Sequence, residues 1–269
     1  QKHGGVVVQN CAARGLETEA GKVSAVVTEM GVIKAGQVVL TGGAWAGSFL
    51  HQLGIKFPQA SVRSSILSVA AGADGLPAAL HTKDVSVTRR PDGSHTLAIS
   101  GLSQLDVTPR ILRNANHFLP MFARRWRILS PGDLRAWRTG FETSRIWPLD
   151  QATPMEKTRV LAPRPNPAVI KKTLQRACRL LPALKGLPIQ ASWAGYIDST
   201  PDGVPVIDTD IGISGLALAA GLSGHGFGIG PGVGHLMADM LLGRTPITET
   251  KHYRLERFKR SQRGKVSEF

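Results

Sequence analysis

Seven glycines fall within residues 221–234, in the run Gly221-Leu-Ser-Gly-His-Gly-Phe-Gly-Ile-Gly-Pro-Gly-Val-Gly234. The strand-like Gly215-Leu216-Ala217-Leu218-Ala219 precedes the run and a helical pattern, His235 to Gly243, follows it. A strand, a glycine loop and a helix make a ligand cradle. With no Cβ in the way, the backbone can approach a bound group closely. The N–H groups at the start of the helix favour negative charge. The implied ligand is a phosphate, a carboxylate or an electron-rich ring that gains charge on reduction. Pro231 suits the first turn of the following helix.

Other chemistries are excluded by spacing. No register of 221–234 gives the dinucleotide fingerprint G-x-G-x-x-G: after Gly226 and Gly228 the third position is Pro231, and after Gly228 and Gly230 it is Val233. There is no lysine for a phosphate-binding P-loop. Ser223 is not flanked by glycines two positions away on both sides, so it does not sit in a hydrolase elbow. His225 has two open readings, a ligand-edge contact or a loop histidine bonded to backbone.

The elements that must position this loop are legible upstream. Val6-Val7-Val8, Arg14–Glu17 and Val23–Thr28 read as strands, with a turn at Ala20-Gly21-Lys22. Val38-Val39-Leu40 is a short apolar strand that runs into a second glycine turn, Thr41-Gly42-Gly43, and then a helix over 44–53. Residues 61–69, 85–88 and 96–99 read as strands, the last two joined by a Pro91-Asp92-Gly93 hairpin. Thr108-Pro109 and Asn166-Pro167 each combine an N-cap with a first-turn proline. The first opens a helix over 108–128 with Ile111, Leu112, Phe118, Leu119 and Phe122 on one face and arginines on the other. The second opens a helix over 166–181.

Composition sets the bounds. The chain has 269 residues, 42% of them hydrophobic, which is a core-forming composition. Two cysteines, Cys11 and Cys178, supply neither a disulfide framework nor a four-ligand metal site, and no metal is expected. No apolar run is long enough to span a bilayer. The net charge of +14 is uneven: residues 110–145 contribute +6 and residues 251–269 contribute +5. Basic segments admit nucleic acid as a partner, but only 6% of residues are aromatic and no nucleic-acid motif is present, so solvated helix faces and a basic tail are favoured.

The motifs together resemble the FAD-dependent D-amino-acid oxidase family, which includes glycine oxidase and D-amino-acid dehydrogenase. The resemblance rests on Trp193-Ala194-Gly195, then Thr200-Pro201-Asp202-Gly203-Val204-Pro205-Val206-Ile207, the glycine loop, and Met237-Ala238-Asp239 before Gly243. Gly43-Ala44-Trp45 after the strand at 38–40 and Val62-Arg63 in the strand at 61–69 agree in order. The resemblance implies an α/β plus α+β fold, a partial FAD-binding Rossmann-like domain joined to an antiparallel-sheet substrate domain. Residues 1–58 and 190–250 would be the cofactor part, 59–189 the substrate domain and 251–269 a basic C-terminal tail. Gly42, Gly43, Trp45, Gly224, His225, Gly226, Phe227, Gly228, Ile229 and Gly230 would bind FAD. The chemistry implied is hydride removal from the carbon bearing the amine of an amino acid or secondary amine, with His225 the candidate catalytic side chain.

Two departures from the family pattern shape the expectation. The N-terminal βαβ unit with G-x-G-x-x-G is absent, as is its ribose-binding acid. The chain therefore reads as a fragment or subunit that needs a complementing chain or N-terminal segment, and alone it is expected to bind FAD weakly or not at all. Second, glycine oxidase-like members carry a substrate-carboxylate arginine two residues after the Trp-Ala-Gly glycine, where this sequence has Ile197. Arg63, Arg89 and Tyr196 are the candidates for the substrate role, with Arg90 weaker. A non-catalytic subunit that keeps the fold without flavin is the second reading. The expected location is cytoplasmic, with peripheral contact to the inner face of a membrane through the basic surface.

Overall fold

The computed structural model describes residues 3–73, 75–127, 129–132, 137, 141–142 and 145–259. In chain order, β1 (Ala13–Glu19), β2 (Lys22–Thr28) and β3 (Gly31–Lys34) form an antiparallel meander. Its first turn, Ala20-Gly21, has φ of 49° and 76°, the doubly left-handed pair that matches the twist of two joined strands. The strand β4 (Val38–Leu40) follows, then a 3₁₀ turn at Gly43–Trp45 and α1 (Ala46–Gln52).

A seven-stranded sheet comes next. It contains β5 (Ala60–Val69), β6 (Ala79–His81), β7 (Ser86–Arg89), β8 (His95–Ala98), β9 (Ser103–Leu105), β10 (Leu129–Pro131) and β11 (Ile189–Ser199). β5 is its axis. One edge of β5 pairs along its whole length with β11; the other is divided, Arg63 and Ser64 pairing with β9 and Leu67–Val69 with β8. Between these strands run α2 (Pro109–Arg125), the one-turn α3 (Pro154–Lys157) and α4 (Pro167–Leu180). Thr108 Oγ1 caps α2 by accepting from the Ile111 N–H, and Asn166 Oδ1 caps α4 by accepting from Ala168 and Val169.

The chain then returns to the first region. β12 (Val206–Asp208) and β13 (Leu216–Ala220) are antiparallel, and β13 lies parallel to β4. α5 (Gly226–Leu241) follows β13. One core joins Leu16, Val23, Leu50, Phe57, Val206, Leu216, Leu218 and Leu255. A second, between the large sheet and α4, joins Leu67, Val69, Val87, Leu97, Ile170 and Leu184. A third places Leu236 and Met237 of α5 on Ile207, Ala217 and Ala219.

Four expectations are corrected. Val6–Val8 form no strand and stand 86%, 66% and 55% exposed, because among the described residues no strand pairs with them and no apolar surface covers them. α5 starts at Gly226, nine residues before the expected His235, because the His225 carbonyl already accepts from Gly228 and Ile229. Pro231 thus lies inside the helix. The arginines of α2 do not all lie opposite the apolar residues: Arg110 is 4% exposed and points inward. The basic C-terminal segment also begins as packed structure, with Leu255 in the first core and Arg257 bonded to Asp202 at 2.8 Å. Residues 260–269 lie outside the described set.

Candidate functional site

The two glycine turns meet because their strands are parallel neighbours. Val38 pairs with Leu216 and Leu40 with Leu218, so Gly42–Trp45 and Gly221–Gly226 leave the sheet from the same, carboxyl, end. Carboxyl ends of adjacent parallel strands are where α/β sheets bind ligands. Two positions need glycine's freedom. Gly43 has φ of 51°, and Gly221 has φ of 77° with Thr200 filling the space a side chain would take. Ser223 is left-handed too, at φ 50°, an uncommon conformation for a side-chain-bearing residue.

Buried polar groups hold both turns. Gln59 is fully buried; its Nε2 donates to the Gly43 carbonyl at 2.8 Å and its Oε1 accepts from the Gly47 N–H at 2.9 Å. Asp198 Oδ2 accepts from the Gly221 N–H at 2.7 Å, and its carbonyl accepts from the Ser223 N–H at 2.9 Å. Gln59 thus holds the first turn and Asp198 the second. Burial pushes the Asp198 carboxyl up, while the bonds from Gly221, Leu222 and Gln59 pull it back.

Beside the turns is a cavity of about 580 Å³. Val62, Ser64 and Ala60 of β5, Ile197 and Ser199 of β11, and Ser223, Gly224 and His225 of the loop line one part of it. Residues 98–101 and Leu105 line another, and α2 closes it with Ile111, Ala115, Phe118, Leu119 and Phe122. Arg125 and His81 also touch it. Among the described residues no carboxylate lines the wall. Its character is apolar with scattered hydroxyls, within the usual size range for a small-molecule pocket.

The opposite face of the β5–β11 pair is packed and charged. Arg63 donates to Asp106 at 3.1 Å and Tyr196, its cross-strand partner, donates to the same carboxylate at 3.3 Å. Burial, then Asp106, pushes the Tyr196 hydroxyl up to about 12, so it stays protonated. Phe141 meets Trp45 and Tyr196 edge-on, with centroids 5.1 and 4.8 Å apart. Deeper, Arg110 donates to the Ala44 carbonyl, Gln59 and Ser48 and pairs with Glu142 at 3.5 Å. Burial lowers the Arg110 pKa and Glu142 opposes that shift. Glu142 also accepts from Thr108 at 2.6 Å and from the Ser61 N–H at 3.1 Å.

The expected site residues therefore divide. Gly42, Gly43 and Trp45 stand at the carboxyl end shared with Gly224 and His225. Gly226, Phe227, Gly228, Ile229 and Gly230 are the first turns of α5 rather than a loop, and Phe227 is fully exposed. Arg63 and Tyr196 lie on the face away from the cavity, and Arg89 is exposed on β7 far from the turns in the sheet order. Ile197, at the position of the family's arginine, does face the cavity and lies against Gly224. Gln59, Asp198, Arg110 and Glu142 were not singled out by sequence.

The residues present fit one end of a flavin nucleotide. Among the described residues no side chain caps α5, so the Gly226 and Phe227 N–H groups at its start are open to an anion. No heavy atom stands where side chains at Gly228 and Gly230 would project, leaving a bare flank along the helix. Among the described residues no cluster could hold a metal ion, and no helix is long and apolar enough to cross a membrane.

Comparison with known proteins agrees with this reading. The chain is 26% identical over 245 residues to a glycine oxidase of Pseudomonas putida, which covers 91% of this chain and 52% of that protein. It matches the solved structure of an L-amino acid deaminase from Proteus vulgaris with a TM-score of 0.84 and 28% identity, over 92% of this chain and 57% of that one. The L-proline dehydrogenase of P. horikoshii shares the fold, with a TM-score of 0.71 at 21% identity over 99% of this chain and 57% of that one. The chain spans about half the length of the curated relatives it matches. The profile described as DAO, FAD dependent oxidoreductase, matches residues 1–240, so the chain belongs to the FAD dependent oxidoreductase family.

Proposed function

We propose that this chain is the substrate-binding and flavin-contacting part of an FAD-dependent oxidoreductase that oxidises the CH–NH bond of an amino acid or amine. The observation that carries the reading is the junction of Gly42–Trp45 and Gly221–Gly226 at one sheet end, beside an apolar cavity. In this reading residues 1–58 and 190–250 form the cofactor side and residues 59–189 the substrate side, in keeping with the two cores centred on Leu218 and Leu67. The sequence lacks the G-x-G-x-x-G unit, so a complementing chain or segment supplies the adenosine-binding part.

When bound, FAD supplies the hydride acceptor. The chain's own residues do the rest. Gly43, Trp45 and the start of α5 hold the cofactor, and the α5 N–H groups favour negative charge at that position. Ile197, Val62 and Phe118 exclude water and orient an apolar substrate body. A wall without carboxylates does not stabilise an ammonium, so it favours the neutral amine, whose lone pair assists hydride loss. Ile197 in place of an arginine favours a substrate with an apolar side chain. His225 is the titratable side chain where loop and cavity meet. An anionic lipid surface is the partner that the basic surface would meet.

The test is flavin uptake. The chain is titrated with FAD alone and with a polypeptide carrying a G-x-G-x-x-G unit, and bound flavin is then exposed anaerobically to amino acids and amines. The expected result is little uptake alone, uptake with the complementing unit, and bleaching by a subset of substrates. No uptake in either case contradicts the reading.

A further inference from the structure

The basic segment at 110–145 has no role in the flavin reading, yet α2 gives it a defined shape. Leu112, Leu119 and Trp126 recur every seven residues, a spacing that drifts only about 20° per step around a helix. They stand 54%, 58% and 55% exposed, with Phe122 beside them at 49%. Single exposed apolar residues are ordinary; four on one stripe of one helix are not. Measured from Leu112, Arg127, Arg113 and Arg124 lie about 60°, 100° and 120° round the helix, all exposed. The Arg127 guanidinium sits 5.4 Å from the Trp126 ring.

We propose that α2 seats the molecule on an anionic lipid surface, with Leu112, Leu119 and Trp126 at the acyl boundary and Arg113, Arg124 and Arg127 among the phosphates. An apolar stripe bearing a tryptophan, flanked by arginines and free of acids, has the character of a helix lying in a membrane interface. The charge argues against the other occupants. A second copy would set one arginine-rich face against another. A nucleic acid would leave Leu112 and Leu119 in water.

The placement has a consequence for the cavity. Leu119 and Phe122 line it and are also half-exposed, so its mouth opens on this same surface. Ile111, Ala115 and Phe118 continue the wall inward. On the reading of this cavity as the substrate site, which this consequence rests on, docking would set the mouth against lipid and favour reactants that partition there.

The test is cosedimentation of the purified chain with vesicles of phosphatidylcholine, alone or mixed with phosphatidylglycerol. The wild type is expected to pellet with the mixed vesicles at low salt, to be released as salt rises, and to ignore phosphatidylcholine alone. R113Q/R124Q/R127Q is expected to weaken binding about fivefold per arginine removed, and L112S/W126S about tenfold or more. All these side chains are exposed, and unchanged far-UV circular dichroism verifies the fold. Failure of the wild type to bind anionic vesicles overturns the proposal, as does equal binding by both variants. A dimer on gel filtration that L112S/W126S dissociates, without vesicle binding, overturns it in favour of a second copy. Flavin uptake is measured separately: vesicle binding lost with flavin retained refutes only the docking surface, and the converse refutes only the oxidoreductase reading.

Discussion

The two faces of the β5–β11 strand pair differ more than any two regions of the sequence suggest. One face carries Arg63, Tyr196 and Asp198, each held by named partners. The other carries Val62, Ser64 and Ile197 and borders the cavity. Residues adjacent in sequence thus do opposite work. Asp198 on the charged face fixes the Gly221 turn, and in the proposed reading the apolar face meets the ligand. A side chain that can bind a substrate carboxylate is no guide to the site when its neighbour on the pleat is the one that faces it.

The largest expected effect comes from breaking the packed face at its deepest pair. Arg110→Met or Glu142→Gln leaves a buried partner uncompensated, and urea unfolding should show a loss of about 3–5 kcal/mol. The double replacement by apolar residues should recover part of that loss. If neither single variant moves the transition, the network is not what holds the Gly43–Ser48 segment.

Asp198 comes next. Asp198→Ala removes the acceptor from the Gly221 N–H, with an expected cost of about 1–3 kcal/mol. Amide exchange should quicken at Gly221, while Gly47, held by Gln59, should keep its protection. Asp198→Asn, which keeps an acceptor oxygen, should restore much of the protection. Unchanged exchange at Gly221 would show that the Asp198 carboxylate does not hold this turn.

The smallest effect is expected away from both faces. Arg159, with help from the Ala12 N–H, holds the Glu29 carboxyl down to about 2 from an ordinary 4.5. A depressed carboxyl contributes stability above its ordinary value and loses it as pH falls through the depressed one. The thermal midpoint should therefore decline slightly between about pH 4.5 and 2, and Glu29→Gln should flatten that slope. The pair is exposed, so the change should be small and sensitive to salt.

Much of the scaffold was legible because its signals are local. The Thr108 and Asn166 caps, the Pro91-Asp92-Gly93 hairpin and the Ala20-Gly21 turn each follow from residues within a few positions. The strand-to-glycine turns at Gly42 and Gly221 were legible for the same reason. Their junction was not, since it depends on β4 and β13 pairing across some 180 residues of sequence. The arginine candidates were chosen by charge and Tyr196 by its place after Gly195, and neither reports which side of a pleat a residue occupies. Gln59, Asp198 and Glu142 gave no signal because their roles exist only through partners 12 to 81 residues away. The early start of α5 ran against helix propensity, since each interior glycine costs about 1 kcal/mol relative to alanine.

The account's central claim is that the Val62–Ile197 face, and not the Arg63–Tyr196 face, meets the substrate. It is tested most directly in the flavin-loaded, complemented protein by anaerobic bleaching with a substrate it accepts. Ile197→Trp fills the cavity side, and Arg63→Met removes the candidate cation on the other. The account predicts that Ile197→Trp slows bleaching by about tenfold or more, with flavin still bound, while Arg63→Met lowers stability and leaves the bleaching rate near wild type. Bleaching abolished by Arg63→Met in a folded, flavin-bound protein, and untouched by Ile197→Trp, would contradict it.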